Sequence, residues 1–327
     1  MKNEEITRLI EQLPDLPEKA GLWSGRILTV MGYLEMTQRG VFKSTVGDKS
    51  NHQVVDKQDI NGTLRAELRG IKVLTKIRDG LLMDLRDIYD DDSFRTKEKS
   101  LDDRMKKQLS FVKTCRKSEY LCGNCAVCVS LGSLNPGRFA RRSRWFLPDM
   151  FSVEPVDDCV AGHLDFDEAG VLNTVESPSR TGMSSRSSSS FATYEYVKPG
   201  TRFPFKWMVR DPSKYDLFAF IKALNEVGQV DGIGAYSSRN GRFKVQFVAI
   251  ADEAPLNLAT NVDLAEDFSL LDSPDRLFPS NAHVIRIDRK ENPDLVAYVY
   301  EKYDELLTTA DWIDFLDKKL PEGEENE

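Results

Sequence analysis

The sequence predicts an α+β protein with a ferredoxin-like βαββαβ core interrupted by large insertions. Three observations carry this. An apolar, β-compatible run is followed by helical spacing in the first ninety residues; a strand–helix–strand series occupies the stretch after residue 200; and the residues between them differ in composition from both.

Residues 1–20 read as a short helix stopped by Pro14 and Pro17. Gly25 to Gln38 (GRILTVMGYLEMTQ) reads as the first strand. A polar loop, Arg39 to Asp59, leads through Ile60-Asn61-Gly62-Thr63 into a predicted helix over Leu64–Asp87. There Leu64, Leu68, Ile71, Leu74 and Ile77 recur at helical spacing, with Thr63 as N-cap. Asp90-Asp91-Asp92 breaks that pattern, and a basic segment runs on to a cysteine cluster. Gly132 to Arg144 then holds four arginines and is followed by the apolar run Trp145–Val153. Ser177–Ser190 contains eight serines, too polar for a core, and reads as part of a long arm. Beyond it come a strand at Phe203–Val209 and a helix face of Leu217, Phe220, Ile221, Leu224 and Val227. A turn at Gly228 to Gly241 precedes strands at Phe243–Ile250 and His283–Ile287. Helices at Asp294–Leu307 and Ala310–Leu320 and an acidic tail complete the series. The predicted organisation is therefore a core from 21–90 and 200–290, a cysteine-rich basic insertion at 91–153, an arm at 154–200, and helices with a tail at 291–327.

The net charge of −8 first argues against a nucleic-acid partner, but the charge is unevenly spread. Arg95 to Trp145 carries 13 basic against 4 acidic residues, while the last 77 residues carry 20 acidic and 7 basic. That asymmetry fits a basic binding face backed by an acidic one, or solvated charge with no partner. No apolar run reaches the roughly 18 residues of a membrane helix, and the charged start has no signal-peptide core. The expectation is a cytoplasmic protein with no membrane partner.

Cys115, Cys122, Cys125 and Cys128 give the spacing C-x6-C-x2-C-x2-C. Four thiolates on tight turns can close a tetrahedral shell around Zn²⁺, leaving no open position, so the ion would be structural. Lys113, Arg116 and Lys117 nearby favour thiolate over thiol. An iron–sulfur cluster, whose usual run is not met here, and unligated thiols remain open. Cys159 stands apart and reads as a buried small hydrophobe. With only His52, His163 and His283, His-based catalysis has few candidates, and no H-E-x-x-H frame, Walker A loop or G-x-S-x-G elbow occurs. The run His163 to Glu168 reads more simply as an alternating surface segment than as a metal site. Ile233 to Arg242 (IGAYSSRNGR) offers backbone donors, hydroxyls and two guanidiniums, chemistry suited to a phosphate backbone, although an ordinary turn would have the same composition.

Four segments taken together resemble the RAMP-type backbone subunits of CRISPR effector complexes. These are Ile60 to Arg69 (INGTLRAELR), Cys122–Gly132 with Ser143 to Asp149 (SRWFLPD), Arg180-Thr181-Gly182-Met183 through Tyr194 to Phe203 (TYEYVKPGTRF, from Thr193), and the glycine-rich Ile233–Arg242. The cysteine cluster and length are most similar to the type I-D, Csc-type subunit of Cascade, with Val129-Ser130-Leu131 and the acidic net charge departing from the pattern.

The resemblance implies an RRM-like palm, a zinc-bearing subdomain and a β-hairpin thumb. It implies an antiviral-defence protein that binds CRISPR RNA without reading its sequence and polymerises along it head to tail. Its partners would be other copies of itself, other effector-complex subunits and the target nucleic acid paired to the guide. Carried over residue by residue, Thr63, Arg65 and Arg69 would meet the RNA backbone beside the first helix. Ser238, Arg239, Asn240 and Arg242 would line the glycine-rich loop, and Met183 would wedge between stacked bases. Arg138, Arg141, Arg142 and Arg144 are basic candidates placed by composition. No catalytic residue is assigned; the enzyme alternative is a metal-dependent endoribonuclease using Asp48, with Asp56 and Asp59 as neighbours. A third reading is a zinc-stabilised interaction protein unrelated to RNA.

Overall fold

The computed structural model describes residues 2–18, 24–42, 55–91, 94, 98–116, 121–135, 139–161, 195–234, 237, 240–256 and 260–318. Helix α1 (Lys2–Glu11) buries Ile6, Leu9 and Ile10, one helical stripe. Strand β1 (Ile27–Met36) is the apolar run read from the sequence. Its burial does not alternate because both faces of its sheet are covered. Leu28, Val30 and Leu34 join the main core, while Met31 packs with Leu264, Leu271 and Phe278 on the other side.

The next segment corrects the sequence reading. Strands β2 (Lys57–Ile60) and β3 (Thr63–Leu68) form an antiparallel hairpin, and helix α2 starts only at Gly70 and runs to Asp90. Asn61 (φ 49°) and Gly62 (φ 82°) both take left-handed backbone, the two-residue turn an Asn-Gly pair favours. Thr63 is therefore the first residue of a strand, not a cap. Leu64 is 44% exposed, and the buried stripe of α2 is Val73, Ile77, Leu81, Leu85 and Tyr89, with Ile71 left exposed.

Helix α3 (Asp103–Lys113) is capped by Asp102, whose carboxylate accepts the Met105 N–H at 2.7 Å. Short helix α4 (Ala126–Leu131) follows, then the hairpin β4 (Ser133–Asn135) and β5 (Phe139–Arg141). The chain continues through β6 (Trp145–Phe146), β7 (Met150–Pro155), α5 (Val156–Cys159) and β8 (Val160–Ala161). Strand β9 (Tyr196–Val197) pairs with β8, so the two ends of residues 162–194 leave the fold side by side. The serine-rich arm itself lies outside the described residues.

Strand β10 (Arg202–Arg210) leads to helix α6 (Lys214–Glu226), which opens on a capping box between Ser213 and Asp216. A π-helical turn, Val227–Asp231, prolongs α6 into what the sequence reads as the start of a turn at Gly228. After β11 (Phe243–Ala251) come α7 (Asn261–Glu266), the 3-10 turns Phe268–Asp272 and Pro274–Leu277, β12 (Val284–Arg286), α8 (Asn292–Thr309) and α9 (Trp312–Asp317).

The main sheet has the order β12–β11–β1–β10–β6, every neighbouring pair antiparallel, and β2–β3–β7 form a second sheet. Helix α6 packs against α8 and α2 over the main sheet. Trp207 stacks on Phe220 at 4.1 Å, and Trp145 meets Trp207 edge-on at 5.2 Å, anchoring the end strand β6 under α6. Such ring pairs add about 0.5–1.5 kcal/mol each beyond burial. At Gly32 the β1–β11 register shifts, and a Cβ there would stand 2.2 Å from the Gln246 carbonyl oxygen. Only glycine permits that approach. No helix among the described residues is long and apolar enough to cross a membrane.

Candidate metal centre and nucleic-acid interface

The four clustered cysteines converge although they come from three local environments. Cys115 follows the C-cap of α3, Cys122 sits in the intervening loop, Cys125 is the N-cap of α4, and Cys128 lies one turn into that helix. All four are buried, and their Sγ atoms all lie within 4.8 Å of one another. The Cys115–Cys128 and Cys122–Cys128 sulfur separations are 3.6 and 3.9 Å. A tetrahedron with metal–sulfur bonds of about 2.3 Å has edges of about 3.8 Å, so the site has the dimensions such an ion requires.

Backbone N–H groups already point at the sulfurs: Cys122 donates to Cys115 Sγ at 3.3 Å, Cys125 to Cys122 Sγ at 3.3 Å, and Cys128 to Cys125 Sγ at 3.4 Å. Cys115, accepting from Cys122, is held far below the ordinary cysteine value, and the Cys122 thiol, its donor, is pushed well above it. The cluster could therefore hold a metal ion. It is pinned to the core by Arg86, which donates to the Cys115 carbonyl at 2.6 Å. Cys159 is buried with its thiol directed at Ser152 Oγ and the Glu154 carbonyl, as a small packed residue.

The glycine-rich loop after α6 is a second convergence. Gly241, at φ 78°, donates its N–H to the Arg39 carbonyl at 2.8 Å and accepts from Ile233 at 3.0 Å. A Cβ at Gly241 would stand 1.9 Å from the Ile233 carbonyl oxygen, so the loop closes only around glycine. Cations ring it. Arg39 Nε donates to Asn240 Oδ1 at 3.3 Å, Lys76 Nζ to Ser237 Oγ at 3.4 Å, and Arg242 Nη2 to the Val230 carbonyl at 3.1 Å. Arg39 and Lys76 were not singled out by sequence. Lys76 had a signal, since Arg69, Lys72 and Lys76 follow one another at near-helical spacing. Arg39 had none, because it reaches the loop only through the fold. The ends of 43–54 and of 162–194 also meet here: Glu195 accepts from the Val55 N–H at 3.1 Å and from Lys57 Nζ at 2.8 Å.

The remaining sequence-predicted residues divide by exposure. Arg65 is buried, and its guanidinium donates to the Ser152 carbonyl at 2.9 Å and to the Val153 carbonyl. Arg144 is buried as well, donating to the Arg210 carbonyl at 3.0 Å and to the Asp211 carbonyl, and pairing with Asp216 at 3.3 Å. Both guanidiniums are engaged inside the protein. Thr63 is half-buried at the start of β3, and Arg69, at the N-cap of α2, pairs with Asp56 and Glu67, each at 3.5 Å. Arg142 is exposed, and Arg141 is half-buried. Burial, with the Arg144 charge nearby, lowers the Arg141 pKa. Asp48, Arg138, Met183, Ser238 and Arg239 lie outside the described residues, as do His52 and the run beginning at His163.

A family profile described as Csc2 Crispr matches residues 92–313. The chain belongs to the Csc2 CRISPR family. The matched span contains the cysteine cluster, β10, α6 and the glycine-rich loop. The crystal structure of Thermofilum pendens Csc2 is similar in fold, with a TM-score of 0.55 at 16% identity over 94% of both chains. A crystal structure of the Csm3–Csm4 subcomplex of the type III-A CRISPR-Cas interference complex aligns at 10% identity and a TM-score of 0.38, over 86% of this chain and 98% of that one. No curated protein matches the chain. Against the Csc2 family, the two departures noted in the sequence, Val129-Ser130-Leu131 and the acidic net charge, are variations within membership.

Proposed function

We propose that this Csc2 family member is a non-catalytic backbone subunit of a CRISPR interference complex. In this reading it binds guide RNA through the phosphates without sequence preference, and copies polymerise head to tail along the guide, presenting it for target pairing and docking other effector subunits. Family membership over residues 92–313 carries the proposal. The sheet supports it: β11–β1–β10–β6, with α2 after β1 and α6 after β10, is the strand order of a ferredoxin-like palm, and β12 adds an outer strand. Residues 21–90 and 200–290 then form the palm, 91–153 the cysteine-rich insertion, 154–200 the thumb and 291–327 the closing helices and tail.

The phosphate contacts fall to the groups at the glycine-rich loop, Arg39, Lys76, Asn240 and Arg242, together with Arg69, Arg141 and Arg142. Ser238, Arg239, Thr63 and Met183 keep the roles the resemblance gives them, and Arg138 stays a basic candidate placed by composition. Arg65 and Arg144 act by holding β3 to β7 and β6 to α6. The cysteines hold Zn²⁺, the all-thiolate set being the one a closed structural zinc site uses. Many modest donors and point charges grip a backbone without reading bases.

The test is fluorescence anisotropy with a roughly 40-nucleotide RNA of arbitrary sequence at two salt concentrations. Cooperative, sequence-tolerant binding that weakens with salt is expected, about five phosphate contacts giving log K a slope near −3.5 against log salt. No binding at low salt by folded, zinc-replete protein overturns the proposal. Asp48→Ala is expected to leave RNA binding unchanged and, in the assembled complex, to alter no cleavage.

A further inference from the structure

A groove of about 690 Å³ runs between the first turns of α2 and the β4–β6 segment, apart from both the cysteine cluster and the glycine-rich loop. Its mouth exposes large apolar side chains: Ile71 is 66% exposed, Leu134 64% and Phe146 56%. Its rim is basic, with Arg78, Arg141 and Arg142 against one carboxylate, Asp149, which accepts the Gly70 N–H at 2.8 Å. An apolar cleft with a basic rim asks for a ligand that is both apolar and anionic.

We infer that this groove docks the chain's own segment 319–327, Lys-Leu-Pro-Glu-Gly-Glu-Glu-Asn-Glu. The chemistry matches: Leu320 and Pro321 are apolar, and Glu322, Glu324, Glu325 and Glu327 supply four carboxylates against one ammonium. Arg141 stands half-buried in the groove wall, its charge disfavoured by burial and by the nearby Arg144, and an incoming carboxylate supplies it with a counter-charge.

The reach matches too. The Leu316 carbonyl accepts from Asn124 Nδ2 at 3.2 Å and Asp317 pairs with Arg104, so the chain leaves the fold beside the cysteine loop. Leu121, on the groove wall, is three residues from Asn124, about 11 Å of extended backbone, whereas residues 319–327 extended span about 30 Å. A second groove among the described residues, of about 480 Å³, is rimmed by Asp84, Asp87, Asp91, Asp304 and Asp311 and repels an acidic segment. Docking covers Arg141 and Arg142, and it does not require RNA binding.

The experiment places the photocrosslinker benzoylphenylalanine at Phe146 of the full chain, and in a second variant at Leu134, and maps adducts by mass spectrometry. The expected result is an adduct to residues 319–327 in the monomer-sized band. Its yield should fall about fivefold or more when Glu322, Glu324, Glu325 and Glu327 are changed to Gln, and likewise when Arg141→Glu and Arg142→Glu are combined. Adducts elsewhere but none to 319–327 from either position overturn the inference. An adduct to 319–327 found only in a dimer-sized band overturns it in favour of a second copy, and a yield indifferent to the charge changes overturns the recognition chemistry.

Discussion

Asp216 shows how much one buried carboxylate can organise. It accepts from Ser130 Oγ at 2.5 Å, Trp145 Nε1 at 2.7 Å and the Ser213 N–H at 3.0 Å, and it pairs with Arg144. It therefore ties α4, β6 and the start of α6 together. Asp216→Ala strands those donors and a buried guanidinium, and should destabilise the protein by about 3–5 kcal/mol in urea unfolding. Asp263→Ala, which breaks an exposed capping box, should lose about 1 kcal/mol. In the proposed zinc site, Cys125→Ser removes one of four thiolates and is expected to abolish bound metal by elemental analysis. It should also lower the unfolding midpoint as much as a chelator does, the chelator then having no further effect on the variant. At Glu67, burial pushes the carboxyl above its usual range despite the Arg69 charge, which pulls the other way. A carboxyl with a raised folded-state pKa holds its proton more tightly when folded, so its contribution falls as pH rises above the ordinary carboxylate value. Glu67→Gln should raise stability at pH 7 by about 0.5 kcal/mol and do so less at pH 4, read from urea midpoints at both.

At the scale of elements, legibility followed the strength of the local pattern. β1, α6, β11 and α8 were readable because each buries a long apolar face. The β2–β3 hairpin was misread because Leu64, Leu68 and Ile71 imitate helical spacing, although the Asn61-Gly62 pair carried the hairpin signal. The two-residue β6 was hidden inside an apolar run, since its membership of the main sheet depends on pairing with β10. Glycine positions test the distinction between local and tertiary demands. Gly62→Ala meets no neighbour and carries only the left-handed backbone penalty, about 1 kcal/mol. Gly32→Ala drives a methyl group into the β11 backbone and should cost about 3 kcal/mol or more, seen as a loss of soluble yield and of the unfolding midpoint.

For the whole molecule, the acidic total charge conceals a basic ring around the glycine-rich loop, and under the proposed function the salt dependence of RNA binding would read that ring. Arg242→Ala should weaken binding similarly for all RNA sequences and reduce the salt slope by about 0.7, one single-strand phosphate contact. Arg65→Ala should instead lower stability with little change in slope, because its guanidinium is committed to backbone carbonyls.

The sequence by itself determined the class of structure, the main apolar strands and helices, the cysteine quartet and the glycine-rich loop, because these are written in local spacing and composition. Only the tertiary structure decided which arginines are engaged in the interior, which cations meet the loop, and that β6 completes the main sheet. Those outcomes depend on contacts between residues far apart in the chain: Arg144 with Asp216, Arg39 with Asn240, Lys76 with Ser237. No local pattern encodes such pairs, since each exists only once the sheet has set its partners side by side.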